Sequence, residues 1–213
     1  MYRPPAFRLD GLDEQHEVIR RHPLATLITR SGEGVVANHI PFMIDAGRGD
    51  KGVLRAHVAR ANPLWGTHPS ESEVLVIFAG IDHYISPSWY ATKRETGKVV
   101  PTWNYVAVHA WGPLQVFEDP EWLREQIGAL TALHEAESAA PWAVTDAPAD
   151  FIAGQIKSIV GIEVPITRIE GKVKASQNRH RADREGVVEG LNAHGTQGAR
   201  QMADLVACPR TKA

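Results

Sequence analysis

Cysteine is almost missing from this chain: Cys208 is the only one among 213 residues. No internal disulfide can form and no multi-cysteine zinc site can be built, which fits a reducing compartment. Cys208 itself, after Ala207 and close to a polar terminus, reads as an incidental thiol. Long apolar runs are lacking as well. Nowhere do about 18 apolar residues run together, as a spanning helix requires, and Met1-Tyr2-Arg3-Pro4-Pro5 has no apolar stretch of the signal-peptide kind. The expectation is a cytoplasmic protein with no membrane partner. An excess of one charge is also absent, since 23 lysines and arginines face 25 acids, with a net charge of -2 and a pI near 6.6. Whole-molecule attraction to nucleic acid is excluded, and any such contact has to be local.

Several catalytic patterns are missing too. There is no Gly-x-Ser-x-Gly elbow, no Walker loop and no His-Glu-x-x-His helix. The ten histidines are scattered rather than paired on one face with carboxylate support, so no metal site is expected. No side chain is singled out as a general acid or base.

What is present reads as short strands. Leu24 to Thr29 and Val35 to Ile40 are β-prone runs around Ser31-Gly32-Glu33-Gly34, which is hairpin chemistry rather than a dinucleotide fingerprint. Val53 to Ala59 follows a glycine-rich turn at 47–52, and Val74 to Phe78 is a β-branched run suited to a buried strand. Thr102 to Ala110 alternates, with Trp103, Tyr105, Ala107 and His109 on one face and Asn104, Val106, Val108 and Ala110 on the other. Strands in hairpin order with no crossover helices predict an antiparallel barrel.

Helical signals frame these strands. Asp13 to Arg21 predicts a short helix ending before Pro23. Asp119 caps a helix with Pro120 at its first position, and Leu123, Ile127, Leu130 and Leu133 recur along it. Asp150 to Ser158 predicts another, and Gly161 to Val173 an extended segment interrupted by Pro165. The expected fold class is mainly β with helical additions (α+β). Its organisation is a single domain over residues 1–191, with helical elements around 120–158 and 183–191, then a helical or flexible tail over 192–213.

Polar and aromatic residues concentrate in four places. Asn38-His39-Ile40-Pro41-Phe42 sets polar groups and a proline at the end of an apolar strand. His57-Val58-Ala59-Arg60-Ala61-Asn62-Pro63 ends another strand with cationic and amide groups, the kind of place where a phosphate can be held. Tyr84-Ile85-Ser86-Pro87-Ser88-Trp89-Tyr90 and Val100-Pro101-Thr102-Trp103-Asn104-Tyr105 gather aromatic surface. Lys172 to Arg184 is the only strongly basic window, with Lys172, Lys174, Arg179, Arg181 and Arg184 against Asp183.

These blocks, with His22-Pro23, His109 and Ser176-Gln177-Asn178-Arg179, occur together in an order that resembles the PaiB-type family of FMN-binding negative transcriptional regulators, to about Leu191. The resemblance implies an FMN-binding split β-barrel related to pyridoxamine phosphate oxidases, working as a homodimer with flavin between subunits. It implies FMN contacts from Asn38, His39, Ile40, Pro41 and Phe42 at the isoalloxazine rim, closed by Trp89, Trp103 and Asn104. His57, Arg60 and Asn62 are expected at the phosphate, reinforced by Lys93 and the basic window, with Gln177 and Arg179 as further FMN contacts. The function implied is a flavin or redox-linked repressor of transcription. The alternative is a flavin-dependent oxidoreductase of the pyridoxamine phosphate oxidase-like or haem-utilisation class. Direct reading of DNA fits poorly with the acidic helix from Asp119 to Glu137, and any nucleic-acid contact is expected to be weak and centred on the basic window.

Overall fold

A computed structural model describes residues 1–32, 34–67 and 72–208. Glu33, at the expected hairpin tip, lies outside the described residues. In chain order the elements are β1 (Arg8–Leu9), α1 (Leu12–Arg21), β2 (Leu24–Ser31), β3 (Gly34–Pro41), β4 (Met43–Asp45), β5 (Val53–Ala59) and α2 (Leu64–Thr67). They continue with β6 (Glu73–Ile85), α3 (Ala91–Thr96), β7 (Thr102–Pro113), β8 (Gln115–Phe117), α4 (Pro120–Glu135) and α5 (Ala149–Lys157). The chain closes with β9 (Ile159–Pro165), β10 (Arg168–Lys174), α6 (Arg181–His194) and α7 (Gln197–Ala207). The fold is sheet-rich with helical additions, as the strand and helix signals predict.

Two compact units share this chain: residues 1–18, 79–108 and 170–213 form one, and 19–78 with 109–169 the other. In the second unit β2 and β3 form the predicted hairpin, with Leu27 opposite Asn38 and Thr26 opposite His39, and β2 also pairs antiparallel with the first half of β6. A four-stranded sheet runs β4-β5-β9-β8, with all its pairings antiparallel. Its core is β-branched and aromatic: Leu54, Ala56, Val74, Val76, Phe78, Val160, Ile162 and Val164 are buried, and the Phe42 and Phe78 rings meet edge to face at 6.3 Å.

The outer face of that sheet is covered by α4 and α5. Asp119 accepts a hydrogen bond from the Glu121 N–H at 3.0 Å and starts α4, as its side chain and the following proline predict. Gly161 gives α4 its seat, because a Cβ there would stand 2.1 Å from the Trp122 ring. Leu123, Ile152 and Ile156 form the small core beneath the two helices. One acid is wholly buried: Glu163 on β9 accepts two hydrogen bonds from the Arg48 guanidinium, at 2.7 and 2.9 Å, and one from Trp122 Nε1 at 3.3 Å. Arg55 lies beside it at 3.4 Å. These donors satisfy the buried carboxylate oxygens, which offsets part of the cost of taking them out of water.

In the first unit β1 pairs with β10, and the basic window opens at the end of β10. The alternation of β7 is real but one-sided: Asn104, Val106 and Val108 are buried, while Trp103, Tyr105 and Ala107 are exposed or half-exposed. Beyond β10 the tail is helical, with α6 and α7 burying Val187, Leu191, Ala199, Met202 and Val206.

Candidate functional site

The residues singled out from sequence fall into two groups, one in each unit. In the second unit, Asn38 and Asn62 meet: Asn62 Nδ2 donates to Asn38 Oδ1 at 3.0 Å, and Asn62 Oδ1 accepts from the Leu64 N–H at 2.9 Å. His39 is exposed, with Nδ1 3.2 Å from Thr26 Oγ1. Ile40 and Phe42 point into the core, and Pro41 is exposed. The strand end at 38–42 thus offers polar groups from Asn38 and His39, backed by buried apolar neighbours.

His57 sits opposite Gly161 in the β5–β9 register. Directly paired residues share a face, so its ring lies on the side that α4 covers. Its Nδ1 is buried with no hydrogen-bond partner among the described residues, and burial pushes its pKa below the ordinary histidine value. Arg60 turns elsewhere. Its Nε donates to the Lys157 carbonyl at 2.9 Å, Nη2 to the Ile159 carbonyl at 3.2 Å and Nη1 to Glu118 Oε2 at 2.6 Å. Its own carbonyl accepts from Trp65 Nε1 at 2.9 Å. Arg60 shares no hydrogen-bond partner with His57 or Asn62 among the described residues.

The second group lies in the first unit. Ser86 accepts from the Ser88 N–H and opens a 3-10 turn, Pro87–Trp89, that leads into α3. Trp89 lies flat on α6: a Cβ at Gly190 would stand 2.3 Å from its ring, and one at Gly186 would stand 2.0 Å from its carbonyl oxygen. Asp183 of α6, itself buried, accepts from the Thr92 N–H and Oγ1, both at 2.9 Å. Arg179 rests over the Tyr90 ring at 4.7 Å, and the His83 and His194 rings meet at 4.9 Å. These contacts tie residues 83–92 to α6 and to the turn before it.

Lys93 is exposed, and its ammonium donates to Ser88 Oγ at 3.0 Å. Trp103 is 54% exposed and leans on Tyr84, 6.0 Å away. Asn104 is fully buried and donates to Ser176 Oγ at 2.9 Å, while its Oδ1 has no hydrogen-bond partner among the described residues. Gln177 closes the turn after β10, accepting from the Ala175 N–H and donating to the Val173 carbonyl, both at 2.6 Å. Ser176 takes a φ of 57°, the only non-glycine described at positive φ.

Thr102 and Asp183 were not among the sequence candidates for the site, whereas Lys174 belongs to the basic window expected to reinforce it. Lys174 Nζ bonds to Thr102 Oγ1, and burial lowers its pKa. The basic window itself does not form one charged face. Lys172 is buried with its ammonium 4.9 Å from the Tyr105 ring centroid, and Arg181 is paired with Glu185. Among the described residues no group of three metal-ligating side chains occurs, and no helix is long and apolar enough to cross a membrane.

This architecture is that of the split-barrel class. Residues 1–168 match the family described as "Putative FMN-binding domain". The chain is 31% identical over 206 residues to protease synthase and sporulation protein PAI 2 of Bacillus subtilis, covering 97% of this chain and 96% of that one. An uncharacterised protein of Emericella nidulans is 36% identical over 227 residues, covering 89% and 90%. Among solved structures, the FAD and haem binding protein of Mycobacterium smegmatis has a TM-score of 0.57 at 15% identity, covering 78% of this chain and 73% of that chain. The flavocytochrome Anf3 of Azotobacter vinelandii has a TM-score of 0.55 at 13%, covering 78% and 69%. The chain belongs to the PaiB-type FMN-binding domain family.

Proposed function

We propose that the flavin is FMN, that the protein acts as a cytoplasmic homodimer, and that it serves as a flavin-linked regulator. The observation that carries the flavin reading furthest is the family match over residues 1–168. The side chains fit such a ligand. Among the described residues, the buried atoms His57 Nδ1 and Asn104 Oδ1 have no hydrogen-bond partner, and buried polar groups in folded proteins are otherwise satisfied. Lys93 and Arg179 have no carboxylate partner among the described residues, which suits a phosphate near two negative charges. Asn38, His39 and Asn62 would offer polar groups to the amide edge of the rings, with Ile40, Pro41 and Phe42 backing that strand end and His57 a further polar group of the same unit. Trp103 would supply the apolar wall. Asn104 and Gln177 would fix the loop carrying Arg179, and Trp89 would fix the segment carrying Lys93. Bound FMN supplies one- and two-electron redox chemistry that no side chain here offers. Arg60 is better assigned elsewhere, because its guanidinium is turned to Glu118 and two carbonyls.

Dimerisation draws support from β3. It lies at the edge of its sheet with Val35 and Val36 exposed, an arrangement that invites pairing with another chain. Regulation by direct DNA reading has weak support, because the basic window is mostly folded inward or paired. Any DNA affinity should be weak and salt-dependent.

The test is an absorption titration of the purified protein with FMN, followed by NADH or NADPH. Saturable binding with no bleaching of the flavin band supports the regulator. Steady turnover makes the protein an oxidoreductase, the alternative the sequence left open. No FMN binding at micromolar protein overturns the reading.

A further inference from the structure

Arg60 sits at the mouth of a cavity of about 330 Å³ on the outer face of the four-stranded sheet, between α4 and α5. Its floor is apolar, with Leu123 and Ile156 buried there. Its rim is cationic: Arg60, Arg124 and Lys157 line it against one acid, Glu118. Glu118 is already engaged by Arg60 at 2.6 Å. Arg124 and Lys157 make no ion pair among the described residues, and both are exposed.

Arg60 is a preorganised donor here. A guanidinium carries five N–H groups. One on Nε, one on Nη1 and one on Nη2 are spent on the Lys157 carbonyl, Glu118 and the Ile159 carbonyl. Each terminal nitrogen keeps one N–H, and the three bonds hold the side chain in place, so an incoming oxyanion meets a donor already ordered.

We propose that this cavity binds a compact amphipathic anion, an oxyanion joined to an apolar body of about one ring, at a site separate from the flavin. The oxyanion is held by Arg60, Arg124 and Lys157, and the body lies on Leu123 and Ile156. The volume is at the small end of ligand pockets. A cation cluster alone would take any phosphate; the apolar floor is what makes the body matter.

Phenyl phosphate is the probe, titrated calorimetrically into the full chain, with inorganic phosphate and FMN titrated in parallel. Phenyl phosphate should bind at least about tenfold more tightly than inorganic phosphate, roughly 1.4 kcal/mol. The Arg124→Ala/Lys157→Ala double variant should weaken it by about tenfold or more, and leave FMN affinity within about twofold. Ala153→Phe, an exposed lining position, should block phenyl phosphate without unfolding the protein. The proposal falls if phenyl phosphate gives no saturable heat, or if inorganic phosphate binds as well. Binding unaffected by either variant also overturns it. So does an equal loss of FMN affinity in the double variant, which would make the cavity part of the flavin site. Failure of FMN to bind the wild type is read in its own titration and leaves the phenyl phosphate result standing.

Discussion

Two residues show how close packing and burial set what a side chain can do. Trp89 reads in the sequence as a candidate wall for a flavin, and its ring lies on Gly190 instead. The glycines of α6 stand four apart, which was legible, but nothing local says which ring they receive. Gly190→Ala forces its Cβ to within 2.3 Å of that ring, and overpacking of this kind costs about 1–3 kcal/mol. Chemical denaturation should show the lower midpoint, with a shift in tryptophan emission. His57 carries a pH dependence. Burial holds its folded pKa below the ordinary 6.5, so the unfolded chain takes the proton first. Stability should be flat well above pH 6.5, fall as pH drops through it, and level off below the folded pKa. His22 is shifted the same way and adds to the slope. Thermal melts from pH 8 to pH 5.5 should show this loss, and His57→Gln should reduce it.

At the scale of elements, period and punctuation carried far. The β2–β3 hairpin, β5 and the capped start of α4 follow from alternation, turn glycines and Asp119-Pro120. The continuation of β6 to Ile85 did not, because Asp82 and His83 break the apolar run that marks its first half. The partners of α6 were equally illegible: Asp183 reads as the one acid in a basic window, and its role appears only when Thr92 is brought to it. Asp183→Ala should remove both hydrogen bonds and strand the Thr92 N–H, costing about 1–3 kcal/mol. Hydrogen exchange should speed up in residues 86–96 more than in β5 or β9, localising the loss to the segment that α6 holds. The buried Glu163 left no trace in the sequence, since Gly161-Ile162-Glu163-Val164 reads as a strand with one polar outlier.

For the molecule as a whole, the flavin reading makes two linked predictions. Lys93→Ala or Arg179→Ala should weaken FMN by about tenfold to a hundredfold, the worth of one charge-assisted contact. Fluorescence titration of FMN reads this directly. Light scattering of the FMN-saturated protein should give about twice the 23.4 kDa chain mass, and Val35→Lys should lower it toward a single chain. The candidate residues were legible as blocks because polar groups at strand ends stand out against apolar runs. Their division between the two units was not, since it depends on which long strands cross from one to the other.

That division also constrains how this protein can have been assembled and how it can be cut. The chain passes between the units at 18/19, 78/79, 108/109 and 169/170, three times inside a strand (β6, β7 and β10) and once inside α1. Neither unit is therefore a continuous stretch of gene. A recombination event cannot transplant one half, and no single protease nick can release it.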